Sequence, residues 1–411
     1  MLKFGGTSLA DEPSRLAASY HVMKSVQAGH PVAVVVSAMG RRGAPYATDT
    51  LIDLLQQSGQ PISDRELDLM MSCGEVISAT QFAHLLTTQG IPASAFTGAQ
   101  SGFVTDSVAG HAGIIAVRPD KILRCFERGR VAVVAGFQGV DESGEIRTLG
   151  RGGSDISAVA LGAALTAESV HIYSDVDGVA AADPSRLPAV PFLHEISAEA
   201  MMRLANEGSK VIHPRAVRAS LEAKTIIRAR NTFSNSAGTL IHHRVPSCNE
   251  RPIALAHRDN HVLVALKSGS HQRIEEQFPF MLSVGRERYL VNDDLFAAQR
   301  IAAVQERFGP VEVEAGWTTA SVIFEGRTGP SDRPQEVGGP GNLSGVSVEG
   351  VVAVPGVMRY LVRAEELDQL LSELWATHFV QATSATPPRR RTTQDRRWGL
   401  VVTPSGLKDS V

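Results

Sequence analysis

The sequence predicts an α/β fold with a mostly parallel sheet, followed by a smaller α+β region. From residue 1 to about 245, short apolar runs alternate with helical patterns, which is typical of parallel strands joined by crossover helices. The runs 32–36 and 131–135 are uninterrupted and β-branched, so we expect two central strands that are covered on both faces. A chain of 411 residues is long enough for two or three domains.

Helix and turn signals accompany these strands. Residues 63–66 form a capping box, and the apolar spacing after it predicts a long helix that buries Glu75. A second helix is predicted to begin at residue 154 or 155, directly after a glycine loop. Residues 171–178 predict a strand that runs into a tight Asp-Gly turn. Two further helices are predicted over 197–206 and 214–223.

The pattern changes after residue 250. We predict short strands at 262–266, 289–291, 321–324 and 358–362, and helices at 294–308 and 364–375. Residues 326–345 are rich in Gly, Pro and Ser without periodicity, which predicts a flexible connection. The predicted division is a first domain over 1–245, a small domain over 251–325, the connection 326–345, a second small domain over 346–380, and a disordered basic tail over 381–411.

Composition excludes several classes of protein. Hydrophobic content of 43% and charged content of 20% are ordinary for a globular protein. A net charge of -3 argues against a nucleic-acid partner and against an anionic membrane surface. Cys73, Cys125 and Cys248 have neither disulfide-framework nor zinc spacing. With no apolar run long enough for a membrane helix and no signal-peptide pattern, we expect a cytoplasmic protein.

Two glycine loops predict the functional site. One is Lys3-Phe4-Gly5-Gly6-Thr7-Ser8, and the other is Leu149-Gly150-Arg151-Gly152-Gly153-Ser154-Asp155. Glycine lets main-chain N–H groups approach phosphate oxygens, a helix N-terminus adds a favourable dipole, and a Lys supplies a compact positive charge. The combination indicates phosphoryl transfer. The phosphate-loop, dinucleotide and protein-kinase signatures are all absent from the sequence.

The remaining motifs resemble those of the aspartate kinases, within the amino acid kinase family. They occur in family order over about 240 residues: 3–8, 36–40, 47–51, 72–75, 136–139, 150–155, 173–178 and 210–214. The resemblance implies a three-layer α/β/α sandwich with a mostly parallel central sheet, plus a C-terminal α+β ACT-like regulatory region. It also implies a longer first strand than Met1 and Leu2 supply.

The reaction that the resemblance implies is transfer of the γ-phosphoryl group of ATP to the β-carboxylate of L-aspartate, with Mg²⁺. It would open the route to lysine, threonine and methionine. A carboxylate with a pKa near 3.9 is already ionised at neutral pH, so this nucleophile needs no general base. The site must instead reduce the repulsion between two anions and align them.

Roles for single residues follow from the resemblance. Lys3 is expected to bind the β- and γ-phosphates, and Asp155 to orient Lys3. Arg151 is expected to hold the α-carboxylate of aspartate with its planar fork, and Glu75 to pair with the α-ammonium group. The other residues implied for aspartate are Thr48, Phe137, Gly152 and Gly153. Those implied for ATP, besides Lys3, are Phe4, Gly5, Gly6, Ser37, Ser154, Ser174, Asp175, Ala180, Arg186 and Lys210.

Each residue also has a structural interpretation. Lys3 alone reads as a surface lysine, Asp155 as a helix cap, Arg151 as an exposed loop arginine, and Glu75 as the partner of an internal arginine.

Two departures from the family lie near the nucleotide. Ala180 stands where an aromatic residue is common, and Arg186 comes one position later than usual. The C-terminal region lacks the glutamine-asparagine stretch of the first ACT effector pocket, so feedback inhibition by lysine or threonine is not expected.

Three functions compete for this sequence. The first is an aspartate kinase that forms a homo-oligomer through its ACT-like region. The second is another amino acid kinase, of the glutamate type. The third is a non-catalytic subunit that senses ATP or an amino acid. The block 150–155 and the block 72–75 favour aspartate, and retention of Lys3, Glu75, Arg151 and Asp155 favours catalysis.

Overall fold

The computed structural model describes residues 1–57, 59–244, 251–266, 277–278, 281–285, 287–293, 297–326, 335–338 and 341–380. The predicted basic tail 381–411 lies outside the described residues. Contacts divide the chain into two compact units. The first comprises 1–180, 192–205 and 210–245, and the second comprises 181–191, 206–209 and 246–411.

The first 245 residues contain alternating strands and helices. The strands are β1 Leu2–Phe4, β2 Ala33–Val36, β3 Ala93–Phe96, β4 Phe103–Thr105, β5 Ile114–Val117, β6 Val131–Ala135, β7 Gln138–Val140, β8 Ile146–Thr148, β9 Val170–Ser174, β10 Glu195–Ser197, β11 Ile227–Asn231 and β12 Thr239–His242. The helices are α1 Glu12–Gln27, α2 Thr48–Gln56, α3 Asp64–Thr88, α4 Asp120–Glu127, α5 Gly153–Ala164, α6 Ala198–Asn206 and α7 Pro214–Ala223.

The main sheet of this unit has the order β10-β12-β11-β9-β1-β2-β6-β3. All its pairings are parallel except β11 with β12, which confirms the predicted mostly parallel sheet. β2 is central, as predicted, but β6 is next to the edge strand β3. Every residue of β6 is nevertheless buried, because helices cover both faces and β3 covers its outer side. A smaller sheet has the order β5-β4-β7-β8.

Strand alternation decides which side chains of β1 face the site. Leu2 and Phe4 belong to a core cluster with side chains of α1 and α3, so those helices form one outer layer. Lys3 lies between them and points to the opposite face, because successive side chains of a strand alternate. Helix α5 contacts β1, β2 and β9 and forms the other layer. The resemblance therefore implied the correct three-layer arrangement.

Helix α3 begins as the capping box predicts. Ser63 is its N-cap, and the Ser63 hydroxyl accepts a hydrogen bond from the N–H of Glu66 at 3.3 Å. The helix is 25 residues long, and it buries Glu75 to 3% exposure. Among the helices in the described ranges, none combines the length and the apolar character needed to cross a bilayer.

The second unit is built on one antiparallel sheet. Its strands are β13 Pro252–Ala265, β14 Leu282–Gly285, β15 Arg288–Asn292, β16 Glu312–Phe324, β17 Gln335–Gly338, β18 Gly341–Leu343, β19 Val346–Val354 and β20 Val357–Arg363, and its helices are α8 Ala297–Phe308 and α9 Leu367–Trp375. The strand order is β14-β15-β13-β16-β20-β19-β17, and β18 also pairs with β19. β13 and β16 are much longer than the predicted strands, because each continues through polar residues that the apolar pattern excludes.

Part of the predicted flexible connection 326–345 is regular structure. β17 and β18 lie within it, and both pair antiparallel with β19. Their glycine-rich sequences carry no strand period, so the pairing comes from the neighbouring strand rather than from their own residues. Strands from 252–324 and from 346–363 lie in the same sheet, whereas the sequence suggested two separate small domains.

Candidate active site

Lys3 forms a close ion pair at the junction of the sheet and helix α5. Its Nζ lies 2.7 Å from Oδ1 of Asp155, and the two side chains are only 11% and 13% exposed. Asp155 is in the first turn of α5, so β1 and α5 bring together two residues that are far apart in sequence. The same oxygen has no partner with hydrogen-bond geometry among the described residues, so the contact is an ion pair without hydrogen-bond alignment.

The opening glycine loop is in contact with the loop that follows β2. The N–H of Gly40 donates to the carbonyl oxygen of Gly6 at 2.9 Å, and a Cβ on Gly6 would lie 2.6 Å from the carbonyl oxygen of Gly40. A Cβ on Gly5 would lie 3.6 Å from Nζ of Lys3. Glycine at residue 6 is therefore required by a close approach of two backbones, whereas a Cβ on Gly5 would make only ordinary van der Waals contacts.

Residues 149–152 of the second glycine loop precede helix α5 and form the arginine loop, named for Arg151 at its exposed tip. Gly150 has φ +72° and Gly152 has φ +73°, both in the left-handed region. Gly152 is the N-cap of α5, so the loop leads directly into the helix that carries Ser154 and Asp155. Main-chain N–H groups at a helix N-terminus favour an anion, as the sequence predicts for this loop.

Alanine at Gly152 is expected to disrupt the arginine loop. A Cβ there would lie 2.4 Å from Cβ of His213, in addition to the strain of a positive φ. Gly29 is the matched control, because it has φ +83° with no atom within 4 Å of a new Cβ. Gly29→Ala should lower the free energy of unfolding by about 1 kcal/mol, and Gly152→Ala by clearly more. Urea unfolding measures both, and equal losses would contradict the predicted clash.

Glu75 presents an unused carboxylate oxygen inside the protein. Its Oε1 accepts a hydrogen bond from the N–H of Ala38 at 3.0 Å, while its buried Oε2 has no partner among the described residues. Burial raises the pKa of Glu75 to about 8, although the Ala38 N–H and the charge of Lys3 oppose the shift. The structural interpretation as the partner of an internal arginine is therefore not supported. A bound cation would favour the ionised form.

The raised pKa predicts a specific pH dependence of stability. Between the ordinary value of 4.5 and about 8, the native carboxyl keeps a proton that the unfolded chain has lost. The stability of the native protein relative to Glu75→Gln should therefore fall as pH rises through this window, and stay low above it. Urea unfolding of both proteins at pH 5, 6, 7 and 8 measures the trend. The exposed Glu127→Gln is the control, and parallel curves for wild type and Glu75→Gln would contradict the shift.

Phe137 supports the arginine loop from the end of β6. Its φ is +69°, which is rare for a residue with a side chain. The conformation is held by two hydrogen bonds: its N–H donates to the hydroxyl of Ser157 at 3.0 Å, and its carbonyl accepts from the N–H of Leu149 at 2.8 Å. A Cβ on Gly153 would lie 2.7 Å from the Phe137 ring, so the ring packs against the start of α5.

Several residues predicted for the nucleotide lie beside the opening glycine loop. The carbonyl oxygen of Tyr173 accepts from the N–H of Gly5 at 3.2 Å. Ser174 and Asp175 are the next two residues in the chain, so they lie close to this loop. Asp175 is exposed and paired with Arg41 at 2.9 Å. The buried Phe4 anchors the loop through its carbonyl oxygen, which accepts from the N–H of Ser37 at 3.1 Å.

The other predicted residues are less closely connected to these loops. Thr48 is half-buried and begins helix α2. Lys210 is exposed, and Ala180 forms a backbone bridge with Phe192. Arg186 lies in the segment 181–191 of the second unit, where it pairs with Asp368 at 2.6 Å and with Asp259 at 3.2 Å. Its guanidinium thus has two carboxylate partners within its own unit.

Three groups near the site escaped the sequence analysis. One is the N–H of Ala38, which no side-chain motif can reveal. Asp68 is completely buried on α3, and its position seven residues before Glu75, on the same face of the helix, is the signal that could have found it. Arg215 follows the block 210–214, but nothing in its spacing indicates that it binds main-chain carbonyls.

The sequence profile described as the Amino acid kinase family matches residues 1–229. That match covers more than half of the 411 residues, so the chain belongs to the amino acid kinase family. Aspartokinase from Geobacillus stearothermophilus is 36% identical over 372 residues, which are 86% of this chain and 85% of that protein. Aspartokinase 1 from Bacillus subtilis (strain 168) is 47% identical over 243 residues, or 59% of this chain and 60% of that protein. Both of these relatives are aspartokinases.

Solved structures show the same fold. The E. coli aspartokinase III complex with aspartate and ADP, in the R-state, superposes with a TM-score of 0.72 at 21% identity, covering 92% of this chain and 99% of that chain. The same enzyme with lysine and aspartate, in the T-state, gives a TM-score of 0.66. At this identity the likeness concerns the fold, and it extends over both units.

Proposed function

We propose that this chain transfers the γ-phosphoryl group of ATP to the β-carboxylate of L-aspartate, forming 4-phospho-L-aspartate. The observation that carries the proposal is the Lys3–Asp155 ion pair between two glycine loops. Similarity to aspartokinases over most of the chain supports the choice of substrate. The Bacillus subtilis relative is matched over about three fifths of its length, so the activity is proposed for this chain rather than transferred to it.

The chemistry requires charge stabilisation rather than proton transfer. A β-carboxylate oxygen attacks the γ-phosphorus, the bond from that phosphorus to the β,γ-bridging oxygen breaks, and ADP leaves with the electron pair. The attacking carboxylate is ionised at neutral pH, so no base is needed. Lys3 and the main-chain N–H groups of the two loops would lower the repulsion between the anions and stabilise the charge that develops in the transition state.

Aspartate binding is assigned to two residues of opposite charge. Arg151, exposed at the tip of the arginine loop, can hold the α-carboxylate with two parallel hydrogen bonds. Oε2 of Glu75, which has no hydrogen-bond partner among the described residues, can accept from the α-ammonium group, and that cation would favour the ionised form of the carboxyl group. Thr48, Phe137, Gly152 and Gly153 complete the proposed acceptor site.

ATP is assigned to the opening loop and the residues after β9. Phe4, Gly5 and Gly6, with Ser37 and Ser154, would surround the phosphates near Lys3. Ser174 and Asp175 would contact the nucleoside, and binding would compete with the Arg41–Asp175 pair, which is exposed and therefore weak. Ala180 and Lys210 stay predictions for this side, as does Arg186, whose two carboxylate partners argue for a structural role.

Mg²⁺ is expected to arrive with the nucleotide. Among the described residues, no group of three or more His, Cys, Asp or Glu side chains could hold a metal ion. Mg²⁺ does not need such a group, because it often takes only one or two protein carboxylates together with substrate phosphates and water. Asp155 is the carboxylate nearest to Lys3 and the one that would contribute. When bound, the metal would neutralise charge on the β- and γ-phosphate oxygens.

A hydroxamate assay tests the proposal. With ATP, Mg²⁺ and hydroxylamine, an acyl phosphate is trapped as a hydroxamate, so aspartate and glutamate can be compared as acceptors. We expect product with aspartate. Product with glutamate alone would contradict the substrate, and product with neither would favour a non-catalytic ATP-binding subunit. Lys3→Ala serves as the negative control for trace kinases in the preparation.

Three further properties stay predictions. They are association into a homo-oligomer through the second unit, weak or absent inhibition by lysine and threonine, and a cytoplasmic location. Repeating the assay with each amino acid, and measuring the molar mass in solution, would test the first two.

A further inference from the structure

The base of the arginine loop is anchored to a second segment, residues 110–112. The N–H of Ala112 donates to the carbonyl oxygen of Thr148 at 2.9 Å, just before the loop begins. A Cβ on Gly150 would lie 2.7 Å from Nδ1 of His111, so the two segments also touch at the second residue of the loop. The position of Arg151 therefore depends on what holds this pair of segments.

A buried acid binds donor groups from both segments. Asp68 of helix α3 has no exposed surface. The N–H of Gly110 donates to its two carboxylate oxygens at 3.0 and 3.2 Å, and the hydroxyl of Thr148 also donates to it. The long helix that carries Glu75 thus also holds the base of the arginine loop.

A cation binds acceptor groups from the same two segments. Arg215, the second residue of helix α7, donates through Nη2 to the carbonyl oxygen of Ala112 at 3.0 Å and through Nη1 to the carbonyl oxygen of Leu149. Within the described residues no carboxylate lies at ion-pair distance from Arg215, so the hydrogen bonds of its guanidinium go to these two carbonyls. Leu149 is two residues before Arg151.

Helix α7 also contacts the far end of the loop. His213 is its N-cap, and Nδ1 of His213 accepts from the N–H of Arg215 at 3.3 Å. The same side chain packs against Gly152, because a Cβ on Gly152 would lie 2.4 Å from Cβ and Cγ of His213. One short segment, 213–215, therefore touches the residues on both sides of Gly150 and Arg151.

We propose that Arg215 is a positioning residue for the acceptor amino acid. The guanidinium of Arg215 fixes the carbonyl group of Leu149 at the base of the arginine loop. It thereby sets the position of the Arg151 guanidinium. Asp68 is the counterpart that holds the donors of the same segments. The inference rests on the proposed function and adds a residue that does not touch the substrate. A displacement of about 1 Å in a substrate-holding group can cost about 10²-fold in rate.

Kinetics of three variants test this role. Arg215→Ala should raise KM for aspartate about 10-fold to 100-fold while KM for ATP changes by less than about twofold. Arg215→Lys can reach only one of the two carbonyls at a time and should give an intermediate KM for aspartate. Arg218→Ala is the matched control, because it removes the same charge from an exposed position one turn further along α7. Free guanidinium at millimolar concentration should partly restore Arg215→Ala.

The outcomes separate this inference from the proposed function. Wild-type protein that forms no hydroxamate would contradict the proposed function, and this inference with it. Active wild type with an unchanged KM for aspartate in Arg215→Ala would contradict this inference alone. A parallel rise of both KM values, without guanidinium rescue, would show a general structural role and would also overturn it. Should Arg215→Ala fail to fold, Arg215→Lys carries the same comparison.

Discussion

Replacing Lys3 by alanine is expected to lower kcat by about 10²-fold to 10³-fold, which is the usual cost of losing one preorganised charge or donor in a transition state. The ammonium group lies in a nearly buried setting, 2.7 Å from Asp155, where bulk water screens it little. Steady-state turnover with aspartate and saturating ATP measures the loss. Wild-type turnover in this variant would contradict the assignment of Lys3 to the reacting phosphate.

Two companion variants separate chemistry from stability. Lys3→Ala leaves the Asp155 carboxylate without its cation, so part of any loss could come from destabilisation. Lys3→Arg keeps the positive charge but changes its shape, and it should recover part of the folding stability and little of the turnover. Lys121→Ala, an exposed change on α4, should match wild type in both. Thermal unfolding of all three accompanies the kinetics.

Replacing Arg151 by alanine is expected to raise KM for aspartate by about 10²-fold. Hydrogen bonds to charged groups contribute about 1.5–3 kcal/mol each, and a fork that binds a carboxylate makes two. The side chain is exposed at the tip of its loop, so its removal should leave the free energy of unfolding unchanged. Initial rates against aspartate concentration, with ATP fixed, measure the effect.

The lysine variant provides the finer test of Arg151. Arg151→Lys retains the charge and loses the planar fork, so KM for aspartate should lie between the alanine variant and wild type. Arg124→Ala removes an equivalent charge from the exposed side of α4 and should leave KM unchanged. If Arg151→Ala binds aspartate as well as wild type does, the α-carboxylate must be held elsewhere.

Local signals predicted much of the fold because they act over a few residues. The capping box at 63–66 predicted where α3 begins, and the helical spacing after it predicted the burial of Glu75. The β-branched run 131–135 predicted a covered strand but not its place near the edge of the sheet, because strand order depends on the crossover connections. The strands β17 and β18 were missed because their short, glycine-containing sequences show no apolar alternation, although both pair with β19, which follows them directly in the chain.

The candidate site divides in the same way. The motifs identified Lys3, Arg151 and Asp155 through glycine loops whose chemistry is local. The role of Arg215 could not be read from the chain, because its partners are main-chain carbonyls and every residue has one. The positive φ of Phe137 was also hidden, since only surrounding hydrogen bonds hold a residue with a side chain in that conformation.

By itself, the sequence determined the alternation of strands and helices, the two glycine loops and the charges that they carry. Tertiary structure alone decided that Lys3 meets Asp155, that one oxygen of Glu75 has no hydrogen-bond partner among the described residues, and that Arg215 and Asp68 hold the same two segments. Spacing along a chain governs contacts within one helix or strand. Contacts between elements depend on the spatial order of the strands in the sheet, which places residues from distant parts of the chain around one site.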